Sequence, residues 1–146
     1  DQALRNQPIT VFGDGRQTRC FADVSDVVRA LLLLADTPGA IGQVFNVGNP
    51  EEVSILELAR LVKKLTASDS AIQLIPYDEA YQPGFEDMER RVPSIDKIAQ
   101  FGYKPKLKLN QIINRIVKAK RMEMEAEALA VTAALQPRSL RVGAAE

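Results

Sequence analysis

Apolar and polar residues alternate through Ile9, Thr10 and Val11, a period of two that predicts a short strand. Gly13-Asp14-Gly15 follows as a turn, because glycine accepts positive φ without steric cost. Thr18 to Ala22 reads as a second short strand, which would make the pair a solvated hairpin. Ahead of them, Asp1 to Asn6 looks like a helix end stopped before Pro8. Asp23 reads as a helix N-cap, with Asp26 placed to suit the dipole. Val24 to Ala35 is apolar on most faces, which predicts a helix buried between layers and ended by Thr37-Pro38-Gly39. Gln43 to Val47 is a third expected strand, closing at Gly48-Asn49-Pro50.

Ser54 and Glu57 form a capping box, and Ile55, Leu58, Leu61, Val62 and Leu65 then recur at helical spacing. Ile72 to Ile75 is a fourth strand. Tyr77 to Pro93 holds Pro83, Gly84, three aromatics and the acids Glu86, Asp87 and Glu89, which suits an ordered functional loop. Ser94 is expected to cap a short helix running to Phe101 and closed by Gly102. Leu109 to Leu135 has no Gly or Pro and predicts one long helix, with Ile112, Ile113, Ile116 and Val117 as its core stripe. Beyond Lys120 the stripe degrades, so that part would project or fray, and Pro137 to Glu146 reads as a disordered tail. The order β-β-α-β-α-β-α-α is mixed α/β, with short strands covered by helices and too few of them for a complete sheet.

Bulk composition narrows the chemistry. The chain has 146 residues, enough for one domain with a real core. Nineteen basic residues balance nineteen acidic ones, which argues against a general nucleic-acid or polybasic membrane surface. One cysteine, Cys20, allows no internal disulfide and makes a reducing, cytoplasmic setting the default. With no histidine, the usual zinc shell and the commonest general base are both missing, so no metal is expected. The apolar run from Ala30 to Ala35 is too short to span a bilayer. The opening DQALRNQP does not read as a signal peptide; it starts inside a helical pattern, which suggests a fragment.

Several motifs fail on inspection. Gly13 and Gly15 begin a G-x-G-x-x-G, but position 18 is Thr and a strand follows, so a tight turn is the better reading. No tyrosine is followed four residues later by lysine: Tyr77, Tyr81 and Tyr103 meet Tyr81, Phe85 and Leu107. Glu86, Asp87 and Glu89 could act as acid and base, but a run of acids in a loop is usually solvated. Arginines remain. Arg16 and Arg19 flank the turn, beside Phe21, and Arg91 precedes Val92-Pro93, where proline stiffens the backbone. Arg19 and Arg91 could reach one anionic ligand. The alternative is that Arg16 and Arg19 are solvated and that Arg90 and Arg91 pair with the acids beside them.

Three blocks in order carry a resemblance: ITVFGDGRQTRCFADVSDVVRALLLL, VFNVGNPEEVSILELARLV, and PYDEAYQPGFEDMERRVPSIDKI followed by FGYKPK. From about Asp1 to Lys118 the chain resembles the C-terminal half of NAD-dependent nucleotide-sugar epimerases and dehydratases, which are extended short-chain dehydrogenases. UDP-glucose 4-epimerases look nearest, with UDP-glucuronate decarboxylases and dTDP-sugar dehydratases as alternatives. The resemblance implies the substrate-binding portion of an extended Rossmann-type enzyme that oxidises a sugar carbon, changes the ketone and reduces it again. It implies that the strand Thr10-Val11-Phe12 lies by the nucleotide base and that Arg19 holds the diphosphate. Arg91 would reach the diphosphate or ribose, and Asn46 would sit in the strand beneath the site.

Departures from the family pattern are equally specific. The N-terminal dinucleotide-binding half, with its glycine-rich NAD turn and Tyr-x-x-x-Lys pair, is absent from these residues, so no catalytic or cofactor-binding residue is assigned. Cys20 stands where an acid is frequent and Ser94 where Asp is frequent. The implied cofactor is NAD, the implied ligand a nucleotide-diphosphate sugar, and the implied partner the missing Rossmann half or a second copy. Residues 1–120 would form the nucleotide-sugar-binding region and 121–146 a helical extension with a tail. By itself such a chain should be inactive. A non-catalytic remnant serving as an interaction module is the rival from another class.

Overall fold

The computed structural model describes residues 1–80 and 88–135. Its strands are β1 (Ile9–Phe12), β2 (Thr18–Cys20), β3 (Glu52–Ser54) and β4 (Ile72–Ile75). Its helices are α1 (Val24–Ala35), α2 (Ile55–Thr66), α3 (Tyr77–Ala80), α4 (Asp96–Ala99) and α5 (Leu109–Leu135), with short 3-10 turns at Ala3–Arg5 and Pro38–Ala40.

The expected hairpin does not form. β1 instead pairs in parallel with β4, Ile9 opposite Ile72 through Phe12 opposite Ile75. β2 runs antiparallel to β3, Thr18 opposite Ser54. The cause lies in what the glycine turn touches. The Leu56 amide donates to the Gly15 carbonyl at 3.0 Å and the Ile55 amide to the Gln17 carbonyl at 3.1 Å, so the turn is tied to the start of α2 rather than folded onto β1. Val11, 1% exposed, and Ile9 carry the apolar face of β1 into a cluster with Ala3 and Ala59, flanked by Ile55, Val62 and Ile72. Burial of that face outweighs a two-stranded ribbon, which is marginal in water.

Ser54 caps α2 as expected. Its hydroxyl accepts from the Glu57 amide at 3.2 Å while the Glu57 carboxylate accepts from the Ser54 amide at 3.1 Å. Ser54→Ala should lower stability by about 1 kcal/mol in urea denaturation. An unchanged midpoint would show that the box contributes nothing.

Several expectations need correction. α1 buries one face only: Asp26 and Ala30 are fully buried, whereas Val24, Leu31 and Leu32 stay 75%, 59% and 61% exposed. Gln43 to Val47 is extended with Phe45 and Val47 half-buried, but it forms no strand, because no other segment among the described residues lies alongside to complete a ladder. β2 stops at Cys20, before the expected Ala22. Ser94 does not cap α4; Ile95 holds that position, and the Ser94 hydroxyl donates to the Asp96 carboxylate at 3.0 Å. Gly102, at φ 94°, does end that turn.

A second core joins α1 to α4 through Ala30, Ile98 and Tyr103, with Leu33, Phe45 and Val47 packed on it. Phe45 meets Phe101 edge to face at 5.3 Å, and the Lys97 ammonium sits 4.5 Å over the Phe45 ring. α5 packs on α2, with Ile112 and Ile113 buried. Ile116 is 55% exposed, whereas Val117 is half-buried, so of the expected core stripe only Ile116 faces outward. Arg115 on α5 reaches the α1 N-cap, Nη1 lying 3.0 Å from Asp23 Oδ1. The Asp23 carboxyl is held below its usual range, first by the Ser25 hydroxyl and amide and then by Arg115. No helix among the described residues is long and apolar enough to cross a membrane.

Candidate diphosphate site

β2 carries Arg19, and its free edge takes up the chain that arrives after residue 87. The Thr18 amide donates to the Glu89 carbonyl at 2.8 Å, and Thr18 bridges in parallel to Arg90. The Arg19 guanidinium reaches over the same segment, with Nη1 donating to the carbonyls of Thr18 at 2.8 Å and Met88 at 2.7 Å. In an extended stretch, successive side chains leave on opposite sides. Arg90 turns to β3, where Nε and Nη2 meet the two Glu52 oxygens at 2.9 and 2.6 Å. Arg91 lines the opposite side.

What Arg91 faces is a cavity of about 560 Å³ that it shares with Arg19 and Asn46. The Phe45–Asn49 segment forms one wall and Arg91–Ser94 another. The two walls meet closely: a Cβ on Gly48 would lie 2.9 Å from Pro93 Cγ, so only glycine lets the proline seat there. The Tyr103 hydroxyl donates to the Gly48 carbonyl at 3.0 Å, and the Asn49 carboxamide accepts from the Glu51 amide at 3.0 Å, which fixes the corner. No lining residue among those described is acidic. Two guanidiniums lining one cavity make it suited to an anion.

The structure brings Arg19, Asn46 and Arg91 to one cavity, and among the described residues Arg90 and Arg91 do not both pair with neighbouring acids. Arg90 pairs with Glu52 on another strand, and Arg91 makes no ion pair or hydrogen bond among the described residues. Glu86 and Asp87 lie outside the described residues. Arg16 is exposed beside Asp14, at 3.4 Å. Thr10, Val11 and Phe12 do not line this cavity: Val11 is in the core, and the Thr10 amide and hydroxyl are both engaged by Gln2. The end of β1 leads instead to a neighbouring cavity lined by Gly13, Gln17, Tyr77 and Glu89.

One residue escaped notice in the sequence. Glu52, at the start of β3, accepts from both Arg90 and the Thr18 hydroxyl; Arg90 first and Thr18 second hold its carboxyl below the usual range. Only the pairing of β2 with β3 makes it a neighbour of either. Cys20 lines the cavity, but burial, then the Glu52 charge, push its thiol up against the smaller opposing effect of Arg90, so it stays protonated and is a poor nucleophile.

A dinucleotide would need an open glycine cradle at a helix N-terminus. Gly13-Asp14-Gly15 is not one: a Cβ on Gly13 would meet the Tyr77 ring at 2.5 Å, and one on Gly15 would meet Leu56 Cβ and Val11 Cγ1 at 2.9 Å. That close approach is filled by protein, and β2 rather than a helix follows. The Gly13–Gly15 turn therefore does not fit NAD.

A profile of the NAD dependent epimerase/dehydratase family matches residues 1–48. The chain is 39% identical over 128 residues to UDP-glucuronic acid decarboxylase 1 of Danio rerio, covering 87% of this chain and 29% of that protein. It is 39% identical over 98 residues to UDP-N-acetyl-alpha-D-glucosaminuronate decarboxylase of Bacillus cytotoxicus, covering 67% of this chain and 30% of that one. The chain thus spans about 30% of the length of the curated relatives it matches. Among solved structures it superposes on UDP-glucose 4-epimerase of Thermotoga maritima with UDP-glucose, at a TM-score of 0.74 and 27% identity, over 84% of this chain and 38% of that one. A mixed fold with a parallel strand pair, shared with part of a Rossmann-like enzyme, agrees with sequence identities near 40%. This chain belongs to the NAD-dependent epimerase/dehydratase family.

Proposed function

We propose that residues 1–120 are the substrate-binding, C-terminal portion of an enzyme that converts a UDP-sugar, and that Arg19 and Arg91 together hold the diphosphate. The observation that carries this reading is that two arginines far apart in the chain line one cavity with Asn46. Each guanidinium can give paired N–H bonds to phosphate oxygens, and both stay charged at any physiological pH. Thr10–Phe12 would lie toward the base, on the side of the neighbouring cavity. NAD, which the family name specifies, would be bound by protein outside the described residues, either the rest of a longer chain or a separate partner.

Among UDP-sugar reactions, the decarboxylase reading is supported by seven curated relatives that are uronate decarboxylases at 37 to 40% identity. A 4-epimerase is the second reading, supported by the likeness to the UDP-glucose-bound structure. Carbon dioxide release from UDP-glucuronate, against conversion of UDP-glucose to its 4-epimer, separates the two in a protein that also holds the NAD site.

The binding claim is tested on the chain itself by calorimetry. UDP should bind, and Arg19→Ala or Arg91→Ala should each weaken it about 10- to 100-fold, the worth of one charge-assisted contact set. Uridine, which has no phosphate, should respond to neither change. Absence of UDP binding in the unaltered chain would favour the non-catalytic remnant.

A further inference from the structure

We propose that Glu52, acting through Arg90, is a positioning residue for Arg91; the proposal rests on the diphosphate reading above. Arg91 is held from both sides. On one side its neighbour Arg90 is forked onto Glu52, with Nε and Nη2 at 2.9 and 2.6 Å from separate carboxylate oxygens. On the other, Pro93 is seated against Gly48. A fork fixes direction as well as distance, because two parallel bonds do not allow the planar guanidinium to swing. The same carboxylate accepts the Thr18 hydroxyl at 3.0 Å, so one group joins β3, β2 and the segment bearing Arg91. Arg19, next to Thr18, grips that segment at Met88. The geometry of both cavity arginines is thus gathered around Glu52.

A structural role alone does not account for this network. The Arg90 side chain is 69% exposed and that of Glu52 29% exposed, and exposed ion pairs typically add little to folding stability. What the pair does restrict is the backbone of residues 90 and 91. Released from it, Arg91 must be ordered each time a diphosphate binds, and that ordering subtracts from affinity.

The test is a double-mutant cycle on the full chain with UDP as the probe, read by calorimetry, with melting curves on every variant. Glu52→Gln should weaken UDP binding about tenfold while the melting temperature stays put. In an Arg91→Ala background the same change should have no further effect, because nothing is left to position. Exchanging the pair, Glu52→Arg with Arg90→Glu, should recover most of the affinity. If Glu52→Gln binds UDP as tightly as the unaltered chain, or costs as much with Arg91 absent as with it present, the positioning role is overturned while the diphosphate site stands. If the unaltered chain binds no UDP, both fall. Should Glu52→Gln melt early, Arg90→Lys keeps the charge without the fork; a loss in UDP affinity supports the proposal, and full affinity overturns it.

Discussion

Replacing Asp26 by alanine should lower the unfolding free energy by about 3–5 kcal/mol, the usual result of breaking a buried charged contact from one side. Asp26 is fully buried on α1. Its Oδ2 accepts from the amides of Lys106 and Leu107 at 3.1 and 3.3 Å. Its Oδ1 lies 2.6 Å from Arg29 Nη2, yet off the direction of a hydrogen bond, so that contact is one of charge. Alanine leaves two part-buried N–H groups without their acceptor and a half-exposed guanidinium without its counter-ion. The effect should reach the cavity too, because the Asn49 carboxamide donates to the Leu107 carbonyl at 3.5 Å. Asp26→Asn, which keeps an acceptor and drops the charge, should fall between. Urea denaturation with an unchanged slope is the measurement, and a loss under about 1 kcal/mol would contradict this account of α1.

Gly15→Ala should cost about 2–4 kcal/mol, from two sources that a control can separate. Gly15 sits at φ 72°, where a side chain is penalised by about 1–2 kcal/mol. Its new Cβ would also lie 2.9 Å from both Leu56 Cβ and Val11 Cγ1. Neither neighbour is a flexible tip: Val11 is in the core and Leu56 is anchored in the first turn of α2. Gly42 shares the conformation, at φ 73°, but has open space where a Cβ would go. Gly42→Ala should therefore show only the backbone cost, about 1–2 kcal/mol. Equal losses at the two glycines in thermal or urea unfolding would mean that the contact with Leu56 and Val11 is of no consequence. Because the turn at Gly15 leads into β2, Gly15→Ala should also weaken UDP binding through Arg19.

Local signals were legible because their causes are local. The Ser54–Glu57 box, the Asp23 N-cap, the strands at Ile9 and Ile72 and the unbroken helix from Leu109 all follow from residues within one turn or one pleat. The arginines to follow were named by the resemblance, whereas arginine chemistry alone left a solvated reading open. Partner choice was not legible. A period of two marks Ile9–Phe12 as a strand but does not say that its neighbour is Ile72–Ile75 rather than Thr18–Cys20. The apolar-rich stretch Gln43–Val47 predicts a strand that the described residues leave without a ladder, because pairing is a property of two segments and pattern is a property of one. Asp26 read as a dipole partner for its own helix, whereas its oxygens serve Lys106 and Leu107, far along the chain.

Sequence by itself therefore determined which segments are helical or extended and, through the resemblance, the family to which the chain belongs. Tertiary structure decided which of two adjacent arginines meets Glu52 and which faces the cavity. That choice depends on the side of an extended backbone from which each side chain leaves, and the side is set only when Thr18 and Arg90 come into register.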